Sequence, residues 1–141
     1  MYGILLMEVQ NDFMAEGFPF YSYFGDMAKA IIPPIKKLTE AARKRKIPVI
    51  YCNMVPIKDD ALFKKFSPHL LPGTPGAEVV DELEPKDEDY IIPVYSMDAF
   101  LHSHLERMLG SLGVDTMVIT GGSTDIGCLL TAIWSAYSSA L

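Results

Sequence analysis

Residues 118–132, Val118-Ile-Thr-Gly-Gly-Ser-Thr-Asp-Ile-Gly-Cys-Leu-Leu-Thr-Ala132, constrain this chain more than any other stretch. A short apolar run stops at Gly121-Gly122, a polar turn follows at Ser123 to Asp125, and an apolar helical pattern carries Leu129, Ile133, Trp134 and Tyr137 to the chain end. A buried strand turning through glycines into a helix belongs to a parallel sheet, and the carboxyl edge of such a sheet is where α/β proteins place their chemistry.

The rest of the chain repeats the alternation. Gly3 to Val9, Ile47 to Asn53 and Tyr90 to Val94 are further continuous apolar runs, the mark of strands covered on both faces, and Thr116 to Thr120 is the fourth. Between the first two lies a helix of roughly 15 residues, entered near Pro33-Pro34 or a turn before, with Ile31, Ile35, Leu38 and Ala42 on one stripe. Ala77 to Leu83 reads as a short second helix. A third starts at Ser103, where Ser103-His-Leu-Glu106 has capping-box spacing, and ends in the Gly110 to Gly113 region. Asp125 reads as the cap of the last helix. The expected fold is a three-layer α/β/α domain spanning residues 1–141, with right-handed crossovers and a parallel sheet. With half of its 141 residues apolar, the chain can bury one sizeable core but hardly two.

Several ordered motifs resemble those of the isochorismatase-like cysteine hydrolases, the superfamily that includes nicotinamidases and N-carbamoylsarcosine amidases. Ile4-Leu-Leu-Met-Glu-Val-Gln-Asn-Asp-Phe13 is similar to the family's first strand and its Asp-Met-Gln-Asn-Asp-Phe ending. Pro68 to Pro85 resembles its Gly-Thr-x-Gly turn and following helix, and Asp89 to Phe100 resembles the strand that presents a lysine before Ser-Ala-Phe. Residues 118–132 resemble the nucleophile turn. The resemblance implies strand order 3-2-1-4 in a Rossmann-type fold lacking the last strands, with a non-proline cis bond at Gly122-Ser123.

It also implies a site made of a carboxylate base, a lysine whose cation favours a thiolate, and a cysteine that attacks a carbonyl held by backbone N–H groups. On this chain those positions are Glu8, Val94 and Gly127. Two of the three functional groups are missing, so the ordinary mechanism is expected to be absent. Cys128 offers an alternative nucleophile, but one residue along a helix rotates a side chain by about 100°. Without the lysine, a buried thiol should stay near or above its usual pKa of about 8.5. Glu8 has two open readings, an acid satisfied by neighbouring turn amides or a group kept for ligand binding. Phe13, Phe18, Tyr95, Ser123 and Gly127 are the expected ligand contacts, with the Ser123 and Gly127 amides as a vestigial oxyanion hole. Asn11 and Asp12 read as turn formers.

Neither metal nor cofactor is expected. Asn53 to Asp59 stands where the nicotinamidase branch carries an Asp-x-His-x-His-type loop, His69 lacks companions, and His102 and His104 diverge at a helix start. A net charge of −6 argues against nucleic acid, since the basic residues cluster only from Lys36 to Lys46 on a solvated helix face. Cys52 and Cys128 lie in apolar runs, and neither a signal peptide nor a run of about 18 apolar residues occurs. These features point to a reduced cytoplasmic protein without a membrane segment. Phe18-Pro-Phe-Tyr-Ser-Tyr-Phe24 reads as an irregular aromatic loop that either lines a pocket, meets another subunit or lids the core. A chain stopping at Leu141 would leave its fourth strand an uncovered edge, for which oligomerisation is one remedy and a longer parent chain another explanation. The sequence therefore supports a non-catalytic or altered homologue that keeps a small-molecule ligand or works through homo-oligomer contacts. The alternative is an active hydrolase of small amides using Glu8 and a displaced Cys128.

Overall fold

A computed structural model describes residues 1–57, 59 and 68–138. Leu141, and with it the expectation about the chain end, lies outside the described residues. Four parallel strands, β1 (Tyr2–Met7), β2 (Val49–Met54), β3 (Tyr90–Val94) and β4 (Thr116–Gly121), form one sheet in the order β3-β2-β1-β4. The central strand sets the register, with Met7 opposite both Cys52 and Gly121. Alternate residues of β1 and β2 feed two cores. Ile4, Leu6, Val49 and Tyr51 pack with Ala28, Ile35 and Ala42 of α2 (Tyr21–Lys44), while Leu5, Met7, Ile50 and Cys52 pack with Leu105 and Leu109 of α3 (Leu105–Leu112). Helices therefore cover both faces, which is why these strands read as unbroken apolar runs. No helix of the described residues is long and apolar enough to cross a membrane.

Four local expectations are corrected. α2 has 24 residues and begins inside the aromatic segment, so Tyr21 to Phe24 are its first turn rather than loop. Pro33 and Pro34 sit within it. A helical proline leaves the carbonyl four residues earlier without its bond; here those carbonyls belong to exposed Lys29 and Ala30, which solvent can serve, while Ala28, Ile35 and Ala42 hold the helix on the sheet. Residues 77–83 are not one helix but are split between tight turns at Pro75–Ala77 and Asp81–Leu83. Between them the backbone is drawn straight to meet the end of β1: Val79 bridges Gln10, and the Val80 N–H donates to the Val9 carbonyl at 3.0 Å.

At α3 the capping box does not form, because the helix begins later than expected, with His104 and not Ser103 at the cap position and no side-chain cap there. Ser103 Oγ accepts from the Leu105 N–H at 3.1 Å, but Glu106 is exposed and the Ser103 N–H turns to the Phe100 carbonyl. The helix stops as expected at Gly113, whose φ of 67° suits glycine. Finally, Asp125 caps nothing; it lies in the first turn of a π-helical segment, Thr124–Cys128, that leads into α4 (Leu129–Ser138). Thr131 is the only buried residue of α4, and its Oγ1 accepts from the Ala99 N–H at 3.0 Å. Leu129, Ile133, Trp134 and Tyr137 are all exposed.

Candidate active site at the carboxyl edge of the sheet

The path of the chain at the end of β1 puts an acid where two structural elements meet. Glu8 has φ of 53°, a left-handed conformation that non-glycine residues seldom adopt, while its N–H still donates to the Cys52 carbonyl at 3.0 Å. The side chain is nine-tenths buried, and its Oε1 is sealed from solvent with no hydrogen-bond partner. Burial alone pushes the carboxyl up from 4.5 to about 8. Neighbouring amides therefore do not satisfy this acid. Nor does it form an ion pair among the described residues.

The facing wall is the turn after β4. Gly121, at φ of 110°, packs where a side chain would strike the Met7 backbone, and the Gly122 N–H donates to the Met7 carbonyl at 2.9 Å. The Gly122–Ser123 bond is cis. The Ser123 carbonyl accepts from the Cys128 N–H at 3.1 Å, which folds the segment back toward Glu8. Gly127 is buried against the acid: a Cβ on it would lie 3.2 Å from Glu8 Oε1 and 3.3 Å from the Gly122 carbonyl oxygen. Nothing projects from Gly127 into that notch.

Cys128, the next residue, is half-buried against the cluster of Leu5, Met7 and Val94. Burial, and secondarily the charge of Glu8, push its thiol up to about 11, and the same two causes push Cys52 up to about 12. Val94 ends β3 fully buried in that cluster. Phe13 belongs to a group of rings, 5.6 Å from Phe20, 6.4 Å from Phe24 and 6.1 Å from His69. It lies in the short helix α1 (Asn11–Met14), whose Met14 reaches Gly122. Phe18 is half-buried and Tyr95 exposed, and among the described residues neither is joined to Glu8 by a hydrogen bond.

Asn11 and Asp12 do more than shape their own turn. Asn11 Nδ2 donates to the Pro75 carbonyl at 2.9 Å, and the Asp12 carboxylate accepts from the Leu70 N–H and fits against Gly76. Two neighbours escaped the sequence reading. Gln10, 1 % exposed, donates to the Met54 and Ala77 carbonyls and accepts from the Met54 N–H, extending the β1–β2 pairing through a side chain. Asn53 Oδ1 is a second sealed oxygen without a partner. The available signal was a polar residue inside an otherwise apolar strand, which must be matched or left unsatisfied. His69 meets Phe20 edge to face with ring centroids 4.7 Å apart, and among the described residues no three His, Cys, Asp or Glu side chains are grouped to hold a metal. Two shallow concavities of about 360 and 350 Å³ border Tyr90 at the amino end of β3, away from Glu8 and Gly127.

A doubly covered parallel sheet, with its β1 acid facing a glycine turn after β4 at the point where strand order reverses, is the architecture of the isochorismatase-like α/β hydrolases. A model of the isochorismatase domain matches residues 2–138, and the chain belongs to the isochorismatase family. It is 33% identical over 122 residues to the isochorismatase of Bacillus subtilis, covering 79% of this chain and 39% of that one. It is 31% identical over 144 residues to an Arabidopsis thaliana protein named "Probable inactive nicotinamidase", covering 95% and 71%. Among solved structures it is similar to the N-carbamoylsarcosine amidase of Thermoplasma acidophilum, with a TM-score of 0.88 and 26% identity over 97% of this chain and 76% of the other. The chain thus spans about two-fifths of the length of the isochorismatase it matches.

Proposed function

We propose that this chain is a member of the family in which the cysteine-hydrolase reaction has been lost and the carboxyl-edge site is kept for binding a small molecule. The observation that carries this reading is the notch at Gly127. Where the family resemblance places the nucleophile there is no side chain, and Glu8 Oε1 stands 3.2 Å from the point where one would begin. Val94, at the lysine position, is enclosed by apolar neighbours, so no cation is supplied to stabilise a thiolate or an oxyanion from that strand. The likeness to an Arabidopsis protein named as inactive supports the same reading. Any remaining ligand contacts would come from Phe13, the Ser123 and Gly127 amides, and Glu8.

The competing reading, a working hydrolase using Cys128, is favoured by one observation: the thiol is close enough to Glu8 to feel its charge. The proton balance opposes it. A thiol pushed up to about 11 gives no proton to a carboxyl that, at about 8, is itself mostly protonated near neutral pH. The unmodified protein should therefore turn over neither nicotinamide nor N-carbamoylsarcosine, and a thiol reagent at neutral pH should label Cys52 and Cys128 far more slowly in the folded than in the unfolded protein. Turnover that disappears in Cys128→Ser would overturn this reading.

Homo-oligomerisation is part of the proposal. Among the described residues β4 pairs only with β1, and after it Ile126, Leu129, Leu130, Ile133 and Trp134 are each 40–49% exposed. Apolar patches of this kind mark contact surfaces. Light scattering coupled to gel filtration should show at least a dimer, reduced to monomer by Trp134→Glu; a monomeric parent would remove the claim.

A further inference from the structure

The amino edge of the sheet has a concavity with a chemistry of its own. Leu105 and Leu109 of α3 share one core with Ile92 and Val94 of β3, which lays the helix beside that strand. The next stripe of α3 then faces the start of β3. His104, Arg107, Met108, Ser111 and Leu112 follow the three-and-four spacing of one helix face, and together with Tyr90 they line an open concavity of about 360 Å³. That volume lies at the lower end of small-molecule sites.

Its lining is of two kinds. Tyr90 and the half-buried Met108 and Leu112 form an apolar floor, while the exposed His104, Arg107 and Ser111 form a rim with a cation and hydrogen-bond donors. No acid lines it, in a chain whose net charge is −6. Arg107 differs from the other two arginines in its surroundings: Arg43 is paired with Asp89 and Arg45 donates to the Ala41 carbonyl, whereas among the described residues the Arg107 guanidinium meets no acceptor. Glu88 and Asp89 line the adjoining concavity, and Asp89 is already held by Arg43.

We propose that this concavity is a binding site for a small aromatic carboxylate, with its ring on Tyr90, Met108 and Leu112 and its carboxylate accepting from Arg107. A guanidinium is a planar fork that fits a carboxylate through two parallel N–H···O bonds. An exposed ion pair alone is worth little in water. A flat ring adds apolar burial and favourable contacts with a tyrosine ring and a methionine sulfur, so the site selects a molecule that has both parts. The concavity is at the opposite end of the strands from Glu8 and Gly127, and the inference is independent of what the carboxyl edge binds. An open site of this kind holds its ligand weakly, with Kd on the order of 1 mM.

The test follows backbone amide NMR shifts of the full chain during titration with 1-naphthoate, 1-naphthalenemethanol and acetate at matched ionic strength. 1-Naphthoate should shift Tyr90 and residues 104–112, while the uncharged alcohol and the ringless acetate should each bind about tenfold more weakly or less. Arg107→Gln, at an exposed position, should keep the parent's Tm and weaken binding about tenfold. Ser111→Trp leaves the guanidinium in place and fills the concavity, so it should abolish the shifts. Equal binding of the alcohol or of acetate, shifts centred elsewhere, unchanged affinity in either variant, or no shifts in the parent at about 10 mM would overturn the inference.

Discussion

Glu8→Asp, Val94→Lys and Gly127→Cys introduced together are expected to raise kcat/KM for a small amide on the order of 10³-fold above the parent, while each change alone leaves it at the parent's level. Groups that act as one nucleophilic unit are strongly non-additive, because a thiol that is not ionised or not positioned contributes almost nothing. Gly127→Cys alone would place its Cβ 3.2 Å from the unpaired Glu8 oxygen, beside an acid and with no cation in reach, so its thiol would stay protonated. Val94→Lys alone would introduce an ammonium at a fully buried position with Glu8 as its partner but no nucleophile to activate. Glu8→Asp removes the methylene that brings the carboxylate up to the notch. The measurement is kcat/KM on nicotinamide and N-carbamoylsarcosine for the parent, the three single variants and the triple. A single Gly127→Cys variant that matches the triple would refute the requirement for all three groups.

Glu8→Gln is expected to stabilise the fold at pH 8 by on the order of 3 kcal/mol and to leave it nearly unchanged at pH 4. The sign follows from burial. Glu8 titrates near its ordinary 4.5 when unfolded and at about 8 when folded, so the folded state holds the proton more tightly. Its contribution to stability is fully present below about 4.5 and is lost as pH rises through about 8, because only the unfolded chain can then ionise it freely. The full shift corresponds to at most about 5 kcal/mol, and relaxation of the site reduces that. Glutamine removes the charge and with it the slope. Urea unfolding at pH 4, 6 and 8 separates the contributions: the parent should weaken across this range while Glu8→Gln lacks that component. Measurements stop at pH 8 because Cys52 and Cys128 add losses of the same sign above it. Equal pH dependence in the two proteins would show that Glu8 is hydrated or paired in solution.

How far the site could be read from sequence depended on whether a feature was local. The acid after β1 and the glycine turn after β4 stand out as interruptions of apolar runs, and parallel topology sends both to the same sheet edge. The state of the acid was not legible. Whether Glu8 would be satisfied by amides or orphaned depends on where the backbone N–H groups of the facing turn point. Here the Gly122 N–H is taken by the Met7 carbonyl and the Cys128 N–H by the Ser123 carbonyl. The missing capping box has a similar origin: the helix starts after His104, and the Ser103 N–H already has the Phe100 carbonyl, so Glu106 has nothing to return to.

What the sequence determined by itself is the class of fold and its strand order. Continuous apolar runs separated by helical patterns can bury both strand faces only as a parallel sheet between two helical layers, and the ordered motifs resembled one family throughout. What only the tertiary structure decided is where local preference gave way to packing. The aromatic segment became helix and carried Pro33 and Pro34 within it because burying Ala28, Ile35 and Ala42 outweighs two missing bonds on an exposed face. Residues 77–83 broke into two turns because Val79 and Val80 were needed against Gln10 and Val9. The notch between Glu8 and Gly127 arises only when β1 and the turn after β4, more than a hundred residues apart, are joined by the hydrogen bond from the Gly122 N–H to the Met7 carbonyl, a contact that no local pattern encodes.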